Sequence, residues 1–302
     1  MNTGYFMTTT HKSGNTMTAT LFSLAKAVTY RERGRLRVLI FGWLVCLTCG
    51  VTAANAQEFA MLTKVYDDGH PDKPVVSLSL TLFHAGEVYD YLDDSGEVII
   101  MQPTRKKFVI LNTRSDVKTE ITFTEIEKML AMADEETTDY LKKLAREPHD
   151  AELYRRIQFY KDPSFNKRAD VQQKQLKLES PYMNYIVDYH NDRPEEYVRK
   201  YLDFADWVKK LNYVRHPIDT AYRARLELNN RMREINALPL TIRMTAHTAL
   251  GEVQLRSDHQ ITWKPNDMHR QMINEWKSKI NSEKTRSISI AQYQKNLHAS
   301  RY

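Results

Sequence analysis

The sequence predicts an α+β protein in which a curved antiparallel β-sheet is covered by amphipathic helices. Three observations lead there. Short runs between residues 59 and 121 alternate apolar and polar side chains, the period of two expected of strands with one face on a core. From about residue 122 the apolar spacing lengthens to the helical 3.6. Strands and helices then arrive in blocks (sheet, helices, strands, helices, strands, helix) rather than in βαβ alternation, which separates α+β from α/β.

The chain of 302 residues is 42% hydrophobic and 27% charged, a balance that excludes a disordered tail, a collagen-like rod and a multi-span membrane protein. Its first 56 residues are a segment apart. Arg31, Arg33, Arg35 and Arg37 precede the apolar run Val38–Val51, and Ala54-Asn55-Ala56 follows it. A positive region, a short apolar stretch and an A-x-A site read as a secretory signal peptide with a long N-terminal region, cleaved after Ala56. The run is shorter than the about 20 residues a membrane-spanning helix needs. Export to the periplasm or the extracellular space is therefore expected.

Removing that segment changes the charge balance. Residues 1–56 hold six basic residues and one acid, so the remainder carries 38 basic and 37 acidic side chains. The net charge of +6 thus falls to +1, and no concentrated basic patch is left to bind nucleic acid. Both cysteines, Cys46 and Cys49, also lie in the leader, so the exported part would have no disulfide. Residues 57–281 are expected to form a single α+β domain, and 282–302 a polar C-terminal tail that frays.

Within the domain, "FAMLTKVY" is a strand, and Val76, Leu78, Leu80 and Leu82 alternate with Ser77, Ser79, Thr81 and Phe83. "EVYDYL", "EVIIMQ", "FVILN" and "VKTEITF" follow, separated by Ala85-Gly86, Asp93–Gly96, "PTRKK" and "TRSD". Short strands joined by such turns make a meander. Thr122 with Glu125, or Thr124 with Glu127, fits a capping box for a helix with Ile126, Met129, Leu130 and Ala133 on its apolar stripe. Asp134-Glu135-Glu136 either opens a second helix or continues the first. "QQKQLKLE" and "YMNYIVDY" read as a second strand pair. Asp192 and Glu195 are placed to cap a helix carrying Tyr197, Tyr201, Ala205, Val208 and Leu211. Another helix is expected from Pro217 to about Ile235. "LPLTIRMTA" and "EVQLRSDHQITW" form a further strand pair. Asn266 or Asp267 caps a final helix with Met268, Met272, Ile273, Trp276 and Ile280.

The chemistry-bearing residues are sparse. There is no G-x-S-x-G, P-loop, G-x-G-x-x-G or H-E-x-x-H, and residues 57–302 hold only four glycines. Asp188, His190 and Asp192 repeat at i, i+2, i+4 and on a strand would share a face, as a metal site or acid–base pair would require. Use of Asp192 as a helix cap accounts for them more simply. His259 is expected to point outward from an exposed strand. The loop Tyr66–Pro74 is acidic but lacks the order of calcium ligands, and suits a solvated turn. No catalytic residue, metal or cofactor is assigned. Tyr182, Tyr185, Tyr189, Tyr197, Tyr201, Tyr213 and Tyr222 suit equally the rim of a ligand pocket and a half-buried sheet.

The stretch Leu82–Ile121, "LFHAGEVYDYLDDSGEVIIMQPTRKKFVILNTRSDVKTEI", resembles the periplasmic lipoprotein-carrier superfamily, the LolA-like half-barrels, in its succession of short strands. The resemblance implies an incomplete barrel with helices across its mouth, holding acyl chains in an apolar concavity. It carries over no catalytic residue. The leading expectation is an exported, non-enzymatic protein that binds a lipid, a lipoprotein acyl chain or another apolar ligand. Leu78, Leu80, Ile100, Phe108, Ile110, Ile121, Ile242 and Met244 are the candidate lining. An interaction or scaffold protein of the cell envelope, touching another envelope protein through its Arg- and Tyr-rich helices, is the alternative. A hydrolase built on Asp188 and His190 is the third.

Overall fold

In the computed structural model, residues 58–146, 151–216, 222–248 and 251–299 are described. The predicted signal peptide, 1–56, lies outside them. The described residues belong to one unit, Ala56–Tyr302.

Two meanders build the sheet. The first runs through β1 (Phe59–Asp67), β2 (Val75–His84), β3 (Glu87–Leu92), β4 (Glu97–Gln102), β5 (Lys107–Asn112) and β6 (Val117–Thr122). The second returns through β7 (Asn166–Asp170), β8 (Gln175–Glu179), β9 (Met183–His190), β10 (Leu238–Thr248) and β11 (Gly251–Thr262). They meet where β1 pairs antiparallel with β11, Ala60 opposite Thr262 and Thr63 opposite His259. A two-residue strand, β12 (Arg286–Ser287), lies parallel to β6. The result is one open sheet of twelve strands in the order β12-β6-β5-β4-β3-β2-β1-β11-β10-β9-β8-β7, antiparallel but for β12.

Turn chemistry sets the hairpins. Ala85 and Gly86, at φ +49° and +80°, form the two-residue loop of the β2–β3 hairpin, whose twist matches that of the strands. Gly96, at φ +65°, lies under the Arg114 side chain, and a Cβ there would come within 2.9 Å of it. Its absence lets Arg114 Nη1 and Nη2 donate to the carbonyls of Asp94 and Asp93 and hold the turn.

Among the described residues six α-helices accompany the sheet: α1 (Phe123–Leu144), α2 (Ala151–Lys161), α3 (Glu195–Arg215), α4 (Tyr222–Glu234), α5 (Asp267–Asn281) and α6 (Ile290–Ala299). Thr122 caps α1 through the box with Glu125, and the whole of 123–144 is a single helix. Asn266 caps α5, with His269 closing its box. Among the described residues no helix is long and apolar enough to cross a membrane.

Both faces of the first meander are covered. On one, Phe59, Met61, Phe83, Ile99, Phe108, Ile110 and Ile121 join the buried residues of α1, α3 and α4 in a single core. On the other, Ala60, Leu82, Tyr89, Val98, Ile100, Val109 and Leu111 meet Ile273 and Trp276 of α5. Each of the large side chains contributes about 1.5–3 kcal/mol by leaving water.

Two expectations are corrected here, and two elements are added. Helix α3 has Pro194 at its N-cap with no side-chain cap; Asp192 instead lies 2.8 Å from His190 Nδ1. Helix α2 and strand β7 have no counterpart in the sequence reading. The segment after Asn281 is not a frayed tail, because β12 pairs with β6 and α6 buries Tyr293 to 3% exposure.

Tyr293 reaches an ion pair in the interior. Arg215, the last residue of α3, donates through Nη2 to both oxygens of Glu97, at 2.7 and 3.0 Å, and both residues are 3% exposed. The Tyr293 hydroxyl donates to the same carboxylate. Burial, followed by the negative Glu97, pushes the Tyr293 phenol well above its ordinary range. Removing one partner of such a pair strands the other, at a cost of about 3–5 kcal/mol, whereas replacing both by apolar residues is often neutral. R215A should therefore lose that much in urea denaturation, and the double variant E97M/R215M should recover most of it. A loss under about 1 kcal/mol for R215A, the size of an exposed pair, would show that the pair does not hold α3 in place.

Candidate functional site

Helix α3 crosses the sheet like a beam fixed at both ends. Near its start, Tyr197 packs edge-on against Phe59 and Trp263, with centroids 5.5 and 5.4 Å away. Further along, Phe204 meets Phe83 at 5.9 Å, and Trp207 stacks on Phe123 at 3.7 Å. Arg215 closes the far end on Glu97. Beneath the intervening stripe of Tyr201, Ala205 and Val208, spaced one turn apart, part of the sheet carries short side chains. Ser79 stands opposite Thr63, which stands opposite His259, and Thr81 stands opposite Asp90. The beam cannot settle onto so low a floor, and a cavity of about 570 Å³ remains.

Six adjacent strands, β3, β2, β1, β11, β10 and β9, form its floor and α3 its roof, with Tyr160 of α2 and Arg225 of α4 on the flanks. Met61, Phe204, Val208, Ile242, Met244 and Leu255 make much of the wall apolar. Interiors close-pack by default, so an unfilled volume of this size requires a cause, and the small residues supply it.

Two ionisable groups are embedded in this wall. Asp90 is 7% exposed and accepts a 2.7 Å hydrogen bond from Thr81 Oγ1. Burial disfavours its charged form and raises its pKa to about 6, against the smaller opposing effect of the Thr81 bond. His259 has Nδ1 3.0 Å from Thr63 Oγ1, while its Nε2 is closed to solvent and has no hydrogen-bond partner. Burial, then the nearby positive Arg225, lowers its pKa to about 3 and keeps the imidazole neutral. Tyr201 lies edge-on to it, centroids 6.4 Å apart, with its phenol raised by burial and opposed by Arg225.

Arg225 is held from behind. Its Nε donates to Asn229 Oδ1 at 3.1 Å, and Asn229, 1% exposed, donates through Nδ2 to Asp206 at 2.7 Å. The second oxygen of Asp206 accepts from Arg233 at 2.6 Å.

Of the candidate lining, Ile242 and Met244 are in the cavity wall. Phe108, Ile110 and Ile121 lie on the same face of the sheet but in its solid part. Leu80 and Ile100 belong to the opposite face, beneath α5, and Leu78 shares the face of Leu80. It is Ser79 and Thr81, the polar members of that alternation, that meet the cavity. His259, expected to point outward, is on its floor instead; the signal available was its period-two spacing from Ser257 and Ile261. Among the tyrosines, Tyr185 and Tyr201 line the cavity, whereas Tyr213 and Tyr222 pack together at 4.5 Å beside a smaller one of about 330 Å³ between α1 and α2. Asp188 accepts from Gln175 and pairs with Arg243 at 2.8 Å, and does not join His190.

No family model matches this chain, and no curated protein matches it in sequence.

The buried pair of titrating groups has a pH signature. Unfolded, Asp90 releases its proton near 3.8; folded, only near 6. Between those values the folded chain holds more proton, so stability falls as pH rises, by about 3 kcal/mol in all. His259 works in the other sense, gaining stability with pH between about 3 and 6.5. D90N keeps an acceptor for Thr81 and removes only the first effect. The stability of D90N relative to the parent should rise by about 3 kcal/mol between pH 4 and 7 and then level off. A difference constant across that range, by chemical denaturation, would place Asp90 in a solvated setting.

Proposed function

We propose that this chain is an exported, non-enzymatic protein that binds a lipid or another apolar ligand in the cavity beneath α3. In this reading the sheet curves into an incomplete barrel and the amphipathic helices α1 to α4 close its mouth. The observation that carries it is the cavity itself. Its volume of about 570 Å³ falls within the range of about 300–1,000 Å³ of small-molecule sites, and it is bounded by a continuous run of six strands. An apolar wall interrupted by a few placed polar groups is the pattern such sites share. Burial would drive binding at about 25 cal/mol per Å² of apolar surface withdrawn from water, less the cost of ordering the ligand. The arginine run, apolar segment and A-x-A site at residues 31–56 support export.

Native mass spectrometry of the chain expressed at full length and recovered from the periplasm tests this. The expected result is a reproducible mass excess that vanishes on organic extraction and is identified as a lipid. A clean apo mass with no uptake from added lipids would overturn the reading. Ala205 faces the void from the roof, and A205F fills part of it. A205F should abolish the mass excess while its circular dichroism stays that of the parent.

A further inference from the structure

The wall of the cavity holds more chemistry than a purely apolar ligand needs. Arg225 lines it as a partly buried guanidinium; its hydrogen-bond partners are the Asn229 amide and the Tyr201 hydroxyl, both neutral, and among the described residues it forms no ion pair with a carboxylate. A partly buried cation in a largely apolar wall favours a negative partner. Its setting is nonetheless rigid, because Asn229, Asp206 and Arg233 hold one another behind it. On the floor, the unpartnered and solvent-closed Nε2 of His259 is a further hydrogen-bonding atom with nothing to bond. Its other ring nitrogen, Nδ1, shares a 3.0 Å hydrogen bond with Thr63 Oγ1. The acid facing this volume is Asp90, already bonded to Thr81.

Resting on the reading of the cavity as a lipid site, we infer that its ligand is a single-chain amphiphile with an anionic head, a carboxylate or a phosphate monoester. Arg225 meets the charge, and the chain lies along Met61, Val208 and Ile242. The volume of about 570 Å³, within the about 300–1,000 Å³ of small-molecule sites, suits a single-chain ligand.

The test is displacement of N-phenylnaphthylamine, a neutral apolar probe, from the full exported chain at pH 8. Palmitate, hexadecyl phosphate and methyl palmitate are the competitors. At least one of the two anions should displace the probe at a concentration about tenfold or more below that of the ester, the effect of a charge-assisted hydrogen bond. Which anion does so separates a free fatty acid from a phosphate-headed lipid. R225Q should bring that anion to within about twofold of the ester, and R225K should restore part of the difference. Equal potency of anions and ester on the unmodified chain would overturn the inference, whether or not the variants fold. An anion preference that persists in a folded R225Q would do the same. Failure of the probe and all three competitors to bind would instead overturn the underlying reading of a lipid site.

Discussion

Arg215 and Glu97 bring opposite charges together in the interior, and three separate stretches of chain depend on that meeting. Glu97 opens β4, Arg215 ends α3, and Tyr293 of the C-terminal helix adds its hydroxyl to the same carboxylate. A pair of this kind gains little over a well-packed apolar contact, but it tolerates little displacement, because any partner that moves leaves a desolvated charge behind. With the aromatic cluster at Phe59, Tyr197 and Trp263 anchoring the other end, α3 has a defined height above the sheet. The cavity is a consequence of that height and of the short side chains underneath.

The cavity also carries a thermodynamic load. Asp90 and His259 each sit where their charged forms are disfavoured, and neither improves the packing of the sheet as a Val or an Ile would. Groups of this sort, together with an unfilled volume, are what a fold retains when the local optimum is not the most compact one. The other face of the same strands shows the contrast: Leu82, Tyr89, Val98 and Ile100 pack directly against Trp276 and Ile273.

Strand positions, hairpin turns and the caps of α1 and α5 were legible because each depends on a few neighbouring residues. The assignment of faces was not. Alternation states that Val76, Leu78, Leu80 and Leu82 share a side and Ser77, Ser79 and Thr81 the other, but not which side the larger group of helices will cover. Where a sheet is covered twice, the greasier face is not automatically the ligand's face. His259 was misplaced for the same reason, since a polar residue among serines looks solvated until a helix is laid over it. The C-terminal helix is not legible locally because its buried anchor, Tyr293, bonds to a partner nearly two hundred positions away. Asp192 satisfied a local capping rule, and the nearby His190 claimed it instead.

An open sheet has two margins, and here they are treated differently. At one, β12 adds two residues beside β6 and leads into α6, so the backbone groups of that strand are partly occupied. At the other, β7 is exposed along its whole length and reads Asn-Lys-Arg-Ala-Asp. Charged side chains along an exposed margin interrupt the apolar contact that stacking a second copy would need. The sheet therefore ends in solvated charge, which sets copies of the chain against polymerising strand to strand.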